Sequence, residues 1–526
     1  MALTLSLFPI VLLIYLMVKR NSTPSFIALP LIALLVYVLQ LTYFDQDFML
    51  VNANVISGII ATQTPVTIIF GAILFNRMME ISGSINVLRR WLSNINPNPI
   101  AQLMIIGWAF AFMIEGASGF GTPAAIAAPI LVGLGFNPIK VAVFALVMNS
   151  VPVSFGAVGT PTWFGFAPLN LDDETLMDIG YKTAFIHFIA GFVIPVMALR
   201  FVSSWQEIRK NLLFIYLSIV SCTVPYLLLA SVNYEFPALV GGAVGLLISI
   251  LLANQGIGLR KTDSQEAAER VPFVTLFKAM LPTLLLIGIL IVTRIHQLGL
   301  KALLNDATTW FSVSLGQFGQ FEVSRALILS LKNILGQGVS DSYKTLYVPS
   351  LIPFIVTVLI SLALFKLNGT QSKSIFFSTF QQTKKPFFAL IGALIMVKLM
   401  LLGGENSMVQ TIGRDFAAAT GSNWTYFSAY LGAIGSFFSG SNTVSNLTFG
   451  GIQYSIAQTT ALSVPLILAL QSVGGAMGNM VCINNVIAVC SVLDVKNQEG
   501  TIIKKTVVPM FIYGVIAALV ATLILS

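Results

Sequence analysis

EGASGFGTPAAIAAP (Glu115–Pro129) follows the apolar run IAQLMIIGWAFAFMI without a pause. It places a carboxylate, three glycines, two small hydroxyls and prolines where hydrocarbon-facing residues are expected. A helix over 100–114 climbs about 22 Å at 1.5 Å per residue, so Glu115 and the small-residue tip fall near the middle of a bilayer. Non-helical backbone is tolerated at that depth only where it is buried in protein or lines a wet cavity. The stretch therefore reads as the tip of a re-entrant hairpin. Gly116, Gly119 and Gly121 permit the turn and the close approach of a ligand. Pro123 can open the second limb, where its missing N–H costs nothing. That limb's N-terminus aims bare amides and a partial positive charge at the tip, which suits an anion.

Composition sets the compartment. Of 526 residues, 56% are hydrophobic and 9% charged, against about 25% charged in soluble domains. The chain reads as an all-α polytopic membrane protein, because helices satisfy their own backbone in lipid. The formal charge of +8 then points to topology signals in cytoplasmic loops, not to nucleic acid. Cys222, Cys482 and Cys490 sit in apolar runs and suggest neither a disulfide framework nor a metal site. The first run, LTLSLFPIVLLIYLMV, lacks a basic n-region and an A-x-A site, so it is expected to be a retained helix.

Runs near the roughly 20 apolar residues a crossing needs lie near 2–18, 25–43, 54–78, 138–160, 179–201, 211–231, 235–255, 273–293, 349–365, 386–403, 463–494 and 503–525. Two more, 100–136 and 426–458, are broken in the middle by small and polar residues. Lys19 and Arg20, Arg77, Arg89 and Arg90, Arg200, Arg209 and Lys210, Lys366 to Lys385, and Lys504 and Lys505 fall in loops read as inside. Asp45, Asp47, Asp172, Asp173, Glu174 and Asp178 fall outside. Lys/Arg bias sets orientation. It alternates through about twelve transmembrane helices only if both broken runs are re-entrant, and it puts both termini outside. The segment 296–346 has mixed charge and is expected to hold an amphipathic helix.

The second half repeats the first at an offset of about 323 residues. NSVPVSFG (149–156) lies over QSVGGAMG (471–478), and EGASGFGTP lies over FSGSNTVSN, which sets Ser118 on Ser441. An odd number of crossings between the hairpins makes them enter from opposite faces. This is an inverted repeat, able to expose one midplane site to either side in turn. The chain divides into a first repeat, 1–201, with hairpin 100–136; connecting helices and a cytoplasmic loop, 202–272; and a second repeat, 273–526, with long loop 296–346 and hairpin 426–458.

The candidate site follows from the two tips. Ser118, Gly119, Gly121 and Thr122 belong to the first, and Ser441, Asn442, Thr443, Ser445 and Asn446 offer neutral hydrogen-bonding groups at the second. Polar breaks at SFGAVGTPTWFG (154–165) and GNMVCINN (478–485) interrupt the spans that follow. Unwound segments of this kind complete midplane sites, which adds Thr160 and Asn479, and Asn149, just ahead of the first break, is counted with them. A carboxylate at bilayer depth is a functional hypothesis by default. Glu115 is therefore assigned proton coupling, the other role open to it being a static acid that holds the turn. Lys398 could pair with a substrate carboxylate or with Glu115, or else snorkel to the nearby membrane surface. His187 could relay protons or pack as a satisfied histidine.

EGASGFGTPAAIAAPILVGLGFNP, NSVPVSFGAVGTPTWFG, GSFFSGSNTVSNLTFGGIQ and GNMVCINNVIAVCSV together resemble the L-lactate permease family. The resemblance implies a bacterial inner-membrane carrier that takes up L-lactate, and often D-lactate or glycolate, with a proton. The wider ion transporter superfamily is similar in its two opposed hairpins, which implies an elevator-type carrier and a homodimer. Its dicarboxylate members carry Ser-Asn-Thr at both tips, contacting substrate and sodium. Here only the second tip reads Ser441-Asn442-Thr443, and the first reads ASGFGTP. No cofactor, metal or nucleic acid is implied; the partners are a small monocarboxylate, a proton and the lipid bilayer.

Other classes fit less well. A sodium-coupled carrier of another small carboxylate remains the alternative, although a more highly charged substrate would call for more midplane cations than Lys398. A channel calls for continuous pore-lining repeats. An enzyme calls for a nucleophile or metal constellation, and no HExxH, Walker-A or CxxC pattern occurs.

Overall fold

A computed structural model describes residues 1–19, 23–119, 122–260, 271–294, 299–348, 350–495 and 498–525. Arg20 and the tip residue Gly121 lie outside the described residues, as does the side chain of Thr122. The chain is mostly helical. The helices run α1 (Ala2–Val18), α2 (Ser25–Thr42), α3 (Phe48–Ile81), α4 (Ser84–Ser93), α5 (Pro99–Gln102), α6 (Ala111–Ser118), α7 (Thr122–Gly133) and α8 (Pro138–Met148). A π-helical stretch, Leu103–Phe110, makes α5 and α6 one continuous limb. Next come α9 (Gly156–Trp163), α10 (Asp173–Ala190), α11 (Ile194–Val202), α12 (Trp205–Lys210), α13 (Leu212–Ala230), α14 (Pro237–Asn254), α15 (Phe273–Arg294) and α16 (Leu300–Leu304). After a small sheet follow α17 (Thr357–Leu364), α18 (Gly369–Met400), α19 (Met408–Thr420), α20 (Trp424–Ser439), α21 (Asn442–Thr459), α22 (Val464–Asn479), α23 (Ile483–Val492) and α24 (Glu499–Val520).

Among the described residues, eight helices are long and apolar enough to cross a membrane, or ten if each of two bent pairs is one span. The bent pairs are α8 with 152–169, at 56°, and α10 with α11, at 44°. Two further runs counted as crossings form shorter apolar helices, Ala2–Met17 and Leu351–Leu364. Shifted by 323, α2 falls on 348–365, α3 on 371–404, the α5–α6 limb on 422–441 and α8 on 461–471. Those windows hold α17 with its preceding turn, α18, α20 and α22, so the offset read from sequence is also a correspondence of elements.

The chain forms two compact units, Met1–Ile85 with Phe277–Asp415, and Asn86–Leu276 with Phe416–Ser526. In the first, the long helices α3 and α18 pack directly. A Cβ on Gly58 would stand 3.0–3.1 Å from Ile395, and one on Gly392 would run into the Pro30 backbone of α2 at 2.3 Å. Small residues at helix contacts are what membrane packing uses, since lipid leaves no hydrophobic drive between helices. Asp47 caps α3 by accepting from the Leu50 amide at 2.9 Å, and Asn368 and Gln371 form a reciprocal capping box on α18.

This unit also corrects the all-α expectation. The segment expected to hold an amphipathic helix contains a four-stranded antiparallel meander, β1 (Thr309–Ser314), β2 (Gln320–Ser324), β3 (Ile328–Ile334) and β4 (Val339–Lys344), in that spatial order. For β4 the physical reason is periodicity. VSDSYK alternates so that Val339, Asp341 and Tyr343 share the half-buried face and Ser340, Ser342 and Lys344 the exposed one, which is a strand's period of two. β4 lies on α3, where Tyr343 donates to Thr67 at 3.1 Å and Ser57 donates to Asp341 at 2.7 Å.

The second unit contains both hairpins. The α5–α6 limb packs on α7 and α14. Gly116 meets the Leu239 backbone and Gly242 the Met113 backbone so closely that a Cβ on either would lie 2.2–2.3 Å from main-chain atoms. α20 packs on α21 and, through Gly432, Gly474 and Gly478, on α22.

Candidate functional site

Each hairpin is turned by a glycine. α6 ends at Gly119 with φ +60°, and its amide donates to the Glu115 carbonyl at 2.9 Å. α20 ends at Gly440 with φ +74°, its amide donating to the Ser436 carbonyl at 2.8 Å. Both φ values lie in the region that costs an L side chain energy and glycine almost none. Ser441 then caps α21, its hydroxyl accepting from the Val444 amide at 3.4 Å. The first-turn amides of Asn442 and Thr443 have no intrahelical acceptor.

The two turns line one pocket. Its walls are Glu115 and Gly119 from the first hairpin; Gly440, Ser441, Asn442 and Thr443 from the second; Val153, Gly156, Ala157 and Pro161 from the first break; and Asn479 from the second. Glu115 is the only ionisable side chain among these.

Glu115 is 2% exposed. Its Oε2 accepts from Asn149 Nδ2 at 3.0 Å, and its Oε1 rests against Gly156, where a Cβ would stand 2.4 Å away. No cation pairs with it among the described residues. Asn149 Oδ1 is buried and has no hydrogen-bond partner among the described residues. Turned by half, the same amide would offer that oxygen to a protonated Glu115.

The first break is a strained structure. After Pro152–Phe155, which forms a turn of 3₁₀ helix, Ala157, Val158 and Gly159 take φ of 46°, 58° and 67°. A β-branched residue in this region is a genuine outlier, and such strain persists only where the surroundings enforce it. Gly159 lies against the Tyr234 carbonyl, and a Cβ there would be 2.2 Å from it.

Behind the pocket runs a buried polar network. Ser154 donates to the Ser472 carbonyl at 3.1 Å and lies 3.1 Å from the Ser472 hydroxyl. Asn442 Nδ2 donates to Ser154 Oγ at 3.2 Å and to the Ser472 carbonyl at 3.0 Å. The acceptor can only face the amide's NH2, which settles Asn442's orientation and leaves its Oδ1 over Gly475. His187 Nε2 is 2.8 Å from Ser154 Oγ, and its Nδ1 is hydrogen-bonded to the Tyr513 hydroxyl. An edge-to-face aromatic column, Trp108–Phe112–Tyr226–Phe155, backs this group with centroid spacings of 5.1–5.5 Å.

The residues expected from sequence separate into groups. Glu115, Gly119, Ser441, Asn442, Thr443 and Asn479 meet at the pocket, and Asn149 touches it through Glu115. Ser118 donates to Ile114 within its own helix at 3.0 Å. Thr160 donates to the Ala157 carbonyl and so ties the break. Ser445 donates to the Gly432 carbonyl at 2.6 Å and Asn446 to the Pro161 carbonyl at 2.9 Å. These four hold the walls and do not line the pocket. Lys398 belongs to the other unit and pairs with Asp341 at 3.0 Å. Sequence reasoning missed Ser154 and Tyr513 as site supports. Only the match of NSVPVSFG to QSVGGAMG marks that part of α22 in the sequence, because hydroxyl-bearing residues in apolar helices give no periodic signal.

Many apolar spans, two helical hairpins and a pocket lined by both turns define an integral multi-pass membrane protein of the permease class. The sequence profile of L-lactate permeases matches residues 2–526. The chain belongs to the L-lactate permease family, whose members are transporters and not enzymes. It is 66% identical over 515 residues to the Haemophilus influenzae protein named "Putative L-lactate permease", covering 98% of this chain and 97% of that one. The L-lactate permease of Salmonella typhi is 24% identical, covering 90% of this chain and 86% of its own. Glycolate permease GlcA of Escherichia coli is 22% identical, covering 87% and 83%.

Proposed function

We propose that the protein imports L-lactate, and with it D-lactate and glycolate, together with a proton across a bacterial inner membrane. One observation carries the coupling. Among the described residues Glu115 is the sole ionisable group lining a pocket whose other polar walls are neutral donors and acceptors, and no cation pairs with it. A carboxylate substrate brought into that pocket meets a second negative charge in a low-dielectric setting, where like charges repel strongly. A proton on Glu115 removes the repulsion, so anion and proton bind together.

The substrate carboxylate is received by the N-terminus of α21, through the Asn442 and Thr443 amides and the Ser441 hydroxyl. A helix N-terminus binds anions without a cationic side chain. The loaded site then carries one negative charge in place of two, which lowers the desolvation cost of moving it. The two halves form an inverted repeat, with each hairpin re-entering from its own face. The unit carrying both hairpins is the moving part of an elevator-type cycle, and the protein works as a homodimer. Support for this reading is that one unit holds both hairpins and that the elements correspond at an offset of 323.

The test is uptake of radiolabelled L-lactate into proteoliposomes under an inward proton gradient in sodium-free buffer. Accumulation above equilibrium that collapses with a protonophore is the expected result. Accumulation only when sodium is supplied would overturn proton coupling and make Ser441-Asn442-Thr443 the suspected cation site.

A further inference from the structure

Ser154 Oγ carries one proton and two lone pairs, yet it has four polar neighbours: His187 Nε2, the Ser472 carbonyl, the Ser472 hydroxyl and Asn442 Nδ2. Asn442 Nδ2 can only donate and the carbonyl can only accept. The proton of Ser154 therefore has two destinations, and the histidine decides between them. With the proton on Nε2, the ring donates to Ser154, the Tyr513 hydroxyl donates to Nδ1, and Ser154 donates to the Ser472 carbonyl. With the proton on Nδ1, the ring donates to the Tyr513 oxygen and Ser154 donates to Nε2. That frees a lone pair on Ser154 for the Ser472 hydroxyl. In both arrangements Ser154 keeps the Asn442 amide.

We infer that His187 is a positioning residue for substrate binding: through Ser154 it holds Asn442, the first residue of α21, against α22, and so aims the anion-receiving turn. The inference rests on the reading that this turn receives the substrate carboxylate. His187 is fully buried, as are Ser154, Ser472 and Tyr513, so water cannot replace a lost partner, and leaving one unsatisfied has a real cost. The arrangement ties α10 and α24, which supply His187 and Tyr513, to the tip of the second hairpin by a chain of three side chains.

The experiment is L-lactate exchange in proteoliposomes, with KM and Vmax read separately and Vmax normalised to folded protein. H187L is expected to raise KM about fivefold or more, the loss expected for one buried hydrogen bond, with normalised Vmax little changed. H187Q, whose amide can stand where Nε2 stands, should bring KM back toward the parent value. S154A should raise KM alike, and H187L with S154A should raise it no further than either alone, because the two act through one contact. A packing role alone would lower the amount of folded protein and leave KM unmoved. KM unchanged in H187L, or effects that multiply in the double variant, would overturn the inference. If H187L does not fold, Y513F with H187Q and S154A carries the same comparison. N442A separates the two levels: a raised KM there beside an unchanged KM in H187L removes only His187. An unchanged KM in N442A, which keeps the backbone amide at 442, overturns this inference and leaves the site reading standing; an unchanged KM in S441A removes that reading.

Discussion

A carboxylate enclosed with a single donated hydrogen bond is a poor resting place for charge and a good one for a proton. Glu115 has Asn149 on one oxygen and the bare Cα of Gly156 on the other, so its chemistry is set by what it lacks. Glu115→Gln keeps the shape and cannot exchange a proton. One pH unit is worth about 1.4 kcal/mol, hence about tenfold accumulation for one coupled proton. The variant is expected to lose that accumulation while still exchanging internal for external lactate; full accumulation would remove Glu115 from coupling. Gly156→Ala tests the same contact from the other side. Its Cβ would meet Oε1 at 2.4 Å, displacing the carboxyl from Asn149, so proton-driven accumulation should fall severalfold in the same assay. Position and type of Glu115 were plain in the sequence, because a lone acid in an apolar run stands out. Its isolation from cations was not, since Lys398 could equally have reached it on paper.

At the scale of elements, the left-handed run Ala157–Val158–Gly159 redirects the chain within a few residues and brings Gly156 under the carboxyl. Gly159→Ala would add a Cβ at φ +67° and 2.2 Å from a backbone oxygen. Neither feature can relax by a rotamer change, so transport should be lost together with a fall in Tm; an unchanged melting curve would mean that the break is pliant. The hairpins and breaks were legible because glycine, proline and small hydroxyls interrupt long apolar runs. The sheet was missed for an equally physical reason. Its strands are five to seven residues long, too short for alternation to stand out beside mixed charge. The Gly-containing connections GQFG and LGQG were the available sign of hairpins.

For the whole molecule, the pair Lys398–Asp341 shows how the sheet is held within its unit. Both side chains are mostly covered, 25% and 15% exposed, and Asp341 also accepts from Ser57. Breaking such a pair costs between the ~0.5 kcal/mol of an exposed one and the ~3–5 kcal/mol of a buried one. Lys398→Met should lower Tm in detergent, and adding Asp341→Leu should recover most of the loss; a double variant worse than the single would show that the pair does more than neutralise itself. From sequence, Lys398 was visible as an intramembrane charge, but its partner was hidden 57 residues away in a segment read as helical.

The two compact units are each stitched from separated stretches of chain, and synthesis must respect that. Ser154 finds Asn442 and Ser472 across 288 and 318 residues. At roughly 5–20 residues per second, on the order of 15–60 s pass between the making of that serine and the arrival of its partners. Throughout that interval the first half of the pocket sits in lipid with the Ser154 hydroxyl short of the partners that α21 and α22 supply. The newborn chain is thus most exposed to quality control in the long middle of its own translation, and a ribosome stall between residues 277 and 415 would leave one unit lacking its second half.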